Sequence, residues 1–246
     1  MGALSEDAGV KFQISHLCSC SATGQMEDSL KLIGELIEKN PLLDFDTYPY
    51  NAFSTLIGSA GFEKESLDQW CSDLGDIMLT KEPYKNVFCT EAILKEARQK
   101  YPEMMAVGFT MDEAEVAAAL ASPYGMIGSD GTLYRGNGHP RAAGTFPRVL
   151  GKYVREEKKL SLIDALRKMT IKPADRLCLF HKGRVAEGAD ADLTIFVPEL
   201  IIDGADYTDI NILPKGISYV IQKGRVAVKD NCVVNEKLGE FISFAG

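Results

Sequence analysis

The stretch KFQISHLCSCSATGQMEDSLKLIGELIEKNPLLDFDTY, residues 11–48, decides the fold of this chain. It begins with an extended run at 11–17, and a second extended run follows at 42–48. Between the two runs, apolar residues recur at the spacing of one helix face: Leu30, Ile33, Leu36 and Ile37. Because a strand–helix–strand order is the unit of a parallel sheet, the sequence predicts an α/β fold.

The rest of the chain is predicted to continue the α/β pattern and to end in a β-rich tail. A buried strand at 125–129 leads directly to Asp130. Helices are predicted at 64–77, 90–100, 112–121, 146–157 and 161–169. After residue 179, glycines separate short β-rich runs at 193–197, 217–222, 225–229 and 232–234, and the pair Lys223 and Gly224 favours a hairpin. We therefore predict an α/β domain over residues 1–178 and a small β-sandwich over 179–246.

Composition and charge exclude several classes of function. The 246 residues carry a net charge of −8, which gives no electrostatic attraction to phosphate backbones and argues against nucleic-acid binding. No apolar run approaches the roughly 20 residues that span a bilayer, and no signal peptide is recognisable, so no membrane association is expected. Six cysteines without a dense framework are typical of reduced thiols, which favours a cytoplasmic location.

One histidine, one aspartate and one arginine are candidates for chemistry. His16 ends the first predicted strand and Asp130 follows the strand at 125–129, which places both at the carboxyl edge where ligands gather in parallel sheets. Arg141, in the His139-Pro-Arg141 loop, suits bidentate binding of a carboxylate. Structural alternatives remain open: a hydrogen-bonding histidine, a turn-forming aspartate and an exposed loop arginine.

A histidine and an aspartate at strand ends also form a recurring arrangement around a divalent metal. The histidine offers a neutral nitrogen, and the carboxylate accepts a proton from water. Cys18 and Cys20 lie beside His16, but no second ligand pair follows at the spacing of a structural zinc site. From the residues alone, the sequence offers too few ligands to complete a metal site.

Several strings in order resemble the N-acyl-D-amino-acid deacylase (D-aminoacylase) family of the amidohydrolase superfamily. They are ISH (14–16), DTYPYNAFST (46–55), GSDG (128–131), HPRAAGTFPRVLGKYVRE (139–156), KMTIKPADRL (168–177), GADADLTIF (188–196) and PKGISYVIQKGRVA (214–227). The resemblance covers nearly the whole chain but only the C-terminal half of the family. It implies strands 6–8 of a metal-dependent (β/α)8 barrel over 1–178, with an insertion at about 56–111, and a composite β-sandwich over 179–246. The implied activity is hydrolysis of the amide of N-acyl-D-amino acids.

By the same resemblance, His16 is implied to bind zinc and Asp130 to be the general base that activates water. Tyr48 and Arg141 are implied to hold the substrate carboxylate, and Ser54 is implied to line the pocket. A lysine that also binds this carboxylate in the family is replaced here by Cys18. The remaining zinc ligands of the family are expected upstream of residue 1.

Three hypotheses follow from this pattern. The first is that the chain acts together with a separate N-terminal half, or within a longer polypeptide. The second is a catalytically inactive truncated remnant that serves as a binding or assembly module, with its exposed sheet edge used for self-association. The third is an amidohydrolase closer to dihydropyrimidinases or dihydroorotases, against which the HPR and GTFPR strings argue.

Overall fold

The computed structural model describes residues 2–21, 23–134 and 137–242. The α-helices are α1 (Gly2–Ala8), α2 (Leu17–Cys20), α3 (Met26–Lys39), α4 (Lys64–Gln69), α5 (Glu91–Lys100), α6 (Glu113–Ala121), α7 (Arg141–Arg148), α8 (Leu162–Met169) and α9 (Ile171–Arg176). The strands are β1 (Phe12–Ile14), β2 (Leu43–Thr47), β3 (Phe53–Leu56), β4 (Ile77–Leu79), β5 (Val87–Phe88), β6 (Met105–Gly108), β7 (Met126–Ile127), β8 (Leu133–Tyr134), β9 (Asn137–Gly138), β10 (Leu193–Phe196), β11 (Ile217–Gln222), β12 (Arg225–Lys229) and β13 (Cys232–Val233). The predicted α/β character is confirmed.

A parallel sheet of order β1–β2–β7 organises the first part of the chain. In β2, Leu43, Phe45 and Thr47 are buried and alternate with two partly exposed aspartates, as the period of a strand requires. Gly125 starts the approach to β7 with a φ of 76°, and a Cβ there would lie 2.4 Å from the Phe45 ring. A glycine is therefore needed where β7 packs against β2.

A second sheet, antiparallel and of order β3–β6–β4–β5, is built from the chain between β2 and α6. The helix predicted over 64–77 is correct only for its first part, because α4 ends at Gln69. Cys71 has a φ of 51°, which a continuing α-helix excludes, and the apolar run Ile77–Leu79 forms a fully buried strand instead. In this segment, burial of the apolar run in a sheet thus outweighs the local helical pattern.

The chain divides into two compact units. The first comprises Met1–Ala143 and Ala205–Ile212, and the second comprises Gly144–Gly204 and Leu213–Gly246. The second unit groups the chain from Gly144 to Gly204 with the tail. Gly151, for example, lies so close to Ile202 that a Cβ would meet its side chain at 2.3 Å.

The second unit contains α8, α9 and one antiparallel sheet of order β10–β11–β12–β13. The predicted hairpin is confirmed, since Lys223 and Gly224 connect β11 to β12 with φ angles of 49° and 74°. The helix predicted from residue 146 begins earlier, at Arg141 directly after Pro140, and continues as a π-helix over Val149–Glu156. None of the helices over the described residues is long and apolar enough to cross a membrane.

Candidate functional site

The carboxyl end of β1 holds His16 in a defined and unusual backbone conformation. His16 has φ 45° and ψ 51°, in the left-handed region that few residues other than glycine adopt. The carboxylate of Asp46, on the neighbouring strand β2, accepts a hydrogen bond from the His16 backbone N–H at 2.8 Å. It also accepts from the side chains of Gln13 and Ser15 at 3.1 and 3.2 Å. Asp46 therefore positions His16, a role that the sequence did not reveal.

The His16 imidazole is surrounded by polar groups of α2. Its Nδ1 lies 3.0 Å from the Ser19 hydroxyl and 3.3 Å from the Cys20 thiol. The hydrogen bond with Cys20 is the main reason that the pKa of His16 is raised. Cys18 points elsewhere: its buried thiol donates to the Tyr48 carbonyl at 3.7 Å, and burial raises its pKa.

Asp130 and Arg141 form an ion pair at the end of β7. The Arg141 guanidinium lies 2.8 Å from the Asp130 carboxylate. Arg141 is 5% exposed and Asp130 is 38% exposed, so the pair presents its carboxylate to solvent and keeps its cation inside. Asp130 also has a positive φ of 46°, and a Cβ on Gly131 would lie 2.6 Å from the backbone of Ala142. The strand-end loop is thus closely fitted to the start of α7.

Tyr48 and Ser54 hold the Arg141 side chain on two sides. The guanidinium carbon lies 4.5 Å from the centre of the Tyr48 ring, a cation–π contact, and one guanidinium nitrogen donates to the Ser54 carbonyl at 3.5 Å. Burial raises the pKa of Tyr48 well above its usual value, so this ring remains neutral beneath the cation. The Ser54 hydroxyl is buried and has no hydrogen-bond partner among the described residues.

His139 fixes the backbone of Arg141. Its Nδ1 accepts the Arg141 backbone N–H at 3.0 Å, and its Nε2 lies 3.0 Å from the Ala52 carbonyl. Because Nδ1 must accept, the ring is a neutral tautomer with its proton on Nε2, donated to Ala52. Three tyrosine rings contact this 1% exposed imidazole edge-on: Tyr48, Tyr50 and Tyr207. The only sequence signal for this role is that His139 stands two residues before Arg141.

One cavity of about 790 Å³ brings most of the predicted residues together. His16, Ser54, Asp130 and Arg141 line it, whereas Tyr48 lies beneath Arg141. The opposite wall of the cavity comes from β3, β6 and the loop that follows α4.

The described residues do not complete a zinc site. A catalytic zinc takes about three protein ligands, but no cluster of three or more His, Cys, Asp or Glu side chains suited to a metal occurs in residues 2–21, 23–134 and 137–242. Among the His, Cys, Asp and Glu side chains, the cavity is lined by His16, Glu103 and Asp130, and the Asp130 carboxylate is paired with Arg141. Cys18, which the CxC spacing had placed near His16, faces Tyr48 instead.

Comparisons of sequence and fold match this chain to known proteins. The chain is 30% identical over 231 residues to a D-aminoacylase of Alcaligenes xylosoxydans xylosoxydans, a match that covers 89% of this chain and 46% of that protein. It superimposes on a D-aminoacylase crystal structure with a TM-score of 0.83 and 27% identity, covering 96% of this chain and 50% of the other. For an N-acyl-D-glutamate deacylase of Bordetella bronchiseptica, complexed with zinc and a phosphonate inhibitor, the TM-score is 0.77 at 26% identity, covering 92% and 48%.

These matches cover most of this chain, but the chain spans only about half the length of each relative. A model of the amidohydrolase family matches residues 96–228, which is more than half of the chain. The chain therefore belongs to the amidohydrolase family.

Proposed function

We propose that this chain supplies the base and the carboxylate-binding part of a site that hydrolyses the amide bond of N-acyl-D-amino acids. The observation that carries the proposal is the Asp130–Arg141 pair, which places an accessible carboxylate and a buried cation in one cavity. The matched D-aminoacylase and N-acyl-D-glutamate deacylase support the substrate class.

In this proposal, Arg141 binds the carboxylate of the substrate. A guanidinium forms charge-assisted, bidentate hydrogen bonds to a carboxylate, and the Tyr48 ring and Ser54 carbonyl hold this guanidinium in a fixed position. The Ser54 hydroxyl offers the substrate a further hydrogen bond, since it has no partner among the described residues.

Asp130 acts as the general base. It accepts a proton from the water that attacks the acyl carbon, so that a C–O bond forms, and it returns the proton to the amide nitrogen as the C–N bond breaks. The products are a carboxylate and a free D-amino acid. Its partial exposure leaves room for this water, and its ion pair with Arg141 keeps it oriented.

The proposed catalytic unit extends beyond this chain. His16 is proposed as one zinc ligand, and the other ligands are assigned to a separate N-terminal half or to the remainder of a longer polypeptide. In the described part of the chain, β1 and β7 each pair only with β2, so each presents an outer edge to which further parallel strands could add. We accordingly interpret β1, β2 and β7 as strands 6–8 of a (β/α)8 barrel.

Two further assignments belong to the same proposal. The segment at 56–111 is interpreted as an insertion that walls the cavity, and the β10–β13 sheet as one layer of a composite β-sandwich within the predicted 179–246 domain. The six free cysteines support a reducing, cytoplasmic environment.

A second candidate function is a non-catalytic binding or assembly module that uses the open β1 edge, for example in self-association. The incomplete metal-ligand set in the described residues and the neutral Cys18 favour it. It predicts retained association without turnover.

Hydrolysis assays distinguish the two candidates. N-acetyl-D-leucine and its L-enantiomer would be incubated with zinc and the purified chain, alone and mixed with the N-terminal half of a D-aminoacylase. Turnover of the D-enantiomer in the mixture supports the hydrolase. An inactive mixture in which the two chains nevertheless co-elute on size exclusion supports the assembly module.

A further inference from the structure

The cavity has one apolar wall. This wall is contributed by the antiparallel sheet and the loop after α4, and it consists of Phe53, Leu56, Trp70 and Met105. The wall is rigid, because Phe53 packs against Trp70 with ring centroids 4.7 Å apart and stacks on Phe62 at 5.3 Å. Binding of an apolar group to such a surface is favourable, because it removes apolar area of both from water.

Among the described lining residues of the cavity, acidic side chains outnumber basic ones. Among the described lining residues, Arg141 is the only lysine or arginine, and Asp130 already lies 2.8 Å from it. A second acid, Glu103, lines the cavity near Met105. Cys18, which precedes the lining residue Ser19, has a buried thiol side chain and carries no positive charge.

We infer that this cavity selects N-acyl-D-amino acids with an apolar side chain and rejects those with an acidic side chain. The inference rests on the proposed function and deepens it. A single cation suffices for the carboxylate that every such substrate carries. The second carboxylate of a D-glutamate or D-aspartate derivative would lose hydration beside Glu103 and an apolar wall, with no described cation to compensate it.

Trp70 provides a direct test, because it is the only tryptophan of the chain and it lines the cavity. N-acetyl-D-leucine and N-acetyl-D-glutamate would be titrated into the chain and into its mixture with the complementary half, with fluorescence and isothermal titration calorimetry as independent readouts. We expect the leucine derivative to bind at least about tenfold more tightly.

The outcomes separate this inference from the proposed function. Equal or tighter binding of the glutamate derivative overturns the inference but leaves the proposed function in place. Binding of neither compound, in fluorescence and calorimetry alike, overturns the proposed function and the inference with it.

Glu103 is exposed and allows a matched pair of variants with little risk to folding. Glu103→Lys should reduce the preference for the leucine derivative about tenfold, because it places a cation at the cavity, and Glu103→Gln should reduce it less. An unchanged preference in Glu103→Lys would contradict the electrostatic basis of the inference.

Discussion

The Arg141 guanidinium lies 2.8 Å from the Asp130 carboxylate, so the proposed carboxylate-binding cation and the proposed base are ion-paired with each other. The arginine is buried and the aspartate is partly exposed, and both line the same cavity. A substrate carboxylate that binds Arg141 would therefore arrive next to Asp130. The pair links the binding of the substrate to the position of the base.

Replacing Arg141 should weaken binding of N-acetyl-D-leucine roughly ten- to hundredfold, because charge-assisted hydrogen bonds contribute about 1.5–3 kcal/mol. Arg141→Lys should retain part of the affinity, since it keeps the charge but loses the planar fork. Calorimetric titration measures the effect. The control is Arg167→Lys on the exposed surface of α8, which should bind like the unaltered chain. Unchanged affinity in both Arg141 variants would remove Arg141 from the site.

Replacing Asp130 with asparagine should separate binding from catalysis. Asparagine keeps the shape of the side chain but cannot take a proton from water, so turnover of the reconstituted enzyme should fall about 10²- to 10⁴-fold. Affinity for N-acetyl-D-leucine should change little by comparison. Initial rates and calorimetry on the same preparations check both statements.

The control for that variant is Asp68→Asn, which removes an exposed i,i+4 ion pair with Lys64. Pairs of this kind contribute little to stability, and Asp68 is not a lining residue of the cavity, so turnover should be unchanged. An Asp130→Asn enzyme that is as active as this control would show that Asp130 is not the base.

His139 should act on the site through Arg141. In His139→Phe the buried Ala52 carbonyl and the Arg141 N–H lose their partner, which should lower the free energy of unfolding by about 2–4 kcal/mol. Urea unfolding measures this loss. Without urea, under conditions where His139→Phe is folded, its affinity for N-acetyl-D-leucine should also be lower.

A conservative variant distinguishes positioning from general destabilisation. His139→Gln keeps a donor that can reach the Ala52 carbonyl and should recover part of the stability and of the affinity. If the affinity of folded His139→Phe equals that of the unaltered chain, His139 has only a structural role.

The cysteines should fall into two classes of reactivity. Cys18 and Cys89 are buried, and burial raises the pKa of Cys89 from 9.0 to about 11, so little thiolate is present at pH 8. Ellman's reagent should therefore modify the exposed Cys20, Cys71 and Cys232 rapidly, and the two buried thiols only after unfolding. Rapid reaction of every thiol in the native chain would contradict this burial.

The raised pKa of Cys89 also makes the stability of the fold depend on pH. Since the folded pKa of Cys89 is raised, its contribution to stability is fully present below pH 9.0 and is lost as the pH rises toward about 11. Cys89→Ser should flatten this alkaline decline in urea unfolding measured between pH 8 and 11.

Local patterns predicted two elements on which the site is built and, separately, one hairpin of the tail. The alternation in β2, the strand before Asp130 and the hairpin at Lys223 and Gly224 all depend on near neighbours, and the structure has all three. The helix predicted over 64–77 is wrong beyond Gln69 because the apolar run Ile77–Leu79 forms a buried strand that pairs with β5 and β6.

The long-range contacts of the site could not be predicted from the sequence. Asp46 of β2 binds the backbone of His16 at the end of the neighbouring strand β1, and His139 connects Arg141 to Ala52, which is distant in sequence. Trp70 lines the cavity although it follows a short surface helix. Each of these contacts depends on the packing of separate segments. His16 and Asp130 could be predicted from sequence because they follow strands, and Arg141 because it comes directly after His139 and Pro140, although it begins α7 and does not lie in a loop.

Zinc content tests the central claim, that this chain holds only part of a catalytic site, most directly. Zinc would be measured by mass spectrometry, after dialysis, on the chain alone, on the complementary N-terminal half and on their purified complex. We expect substoichiometric zinc in the chain alone and about one zinc per complex, which His16→Ala should remove. A full equivalent of zinc on the chain alone, or a complex whose zinc is unaffected by His16→Ala, would contradict it.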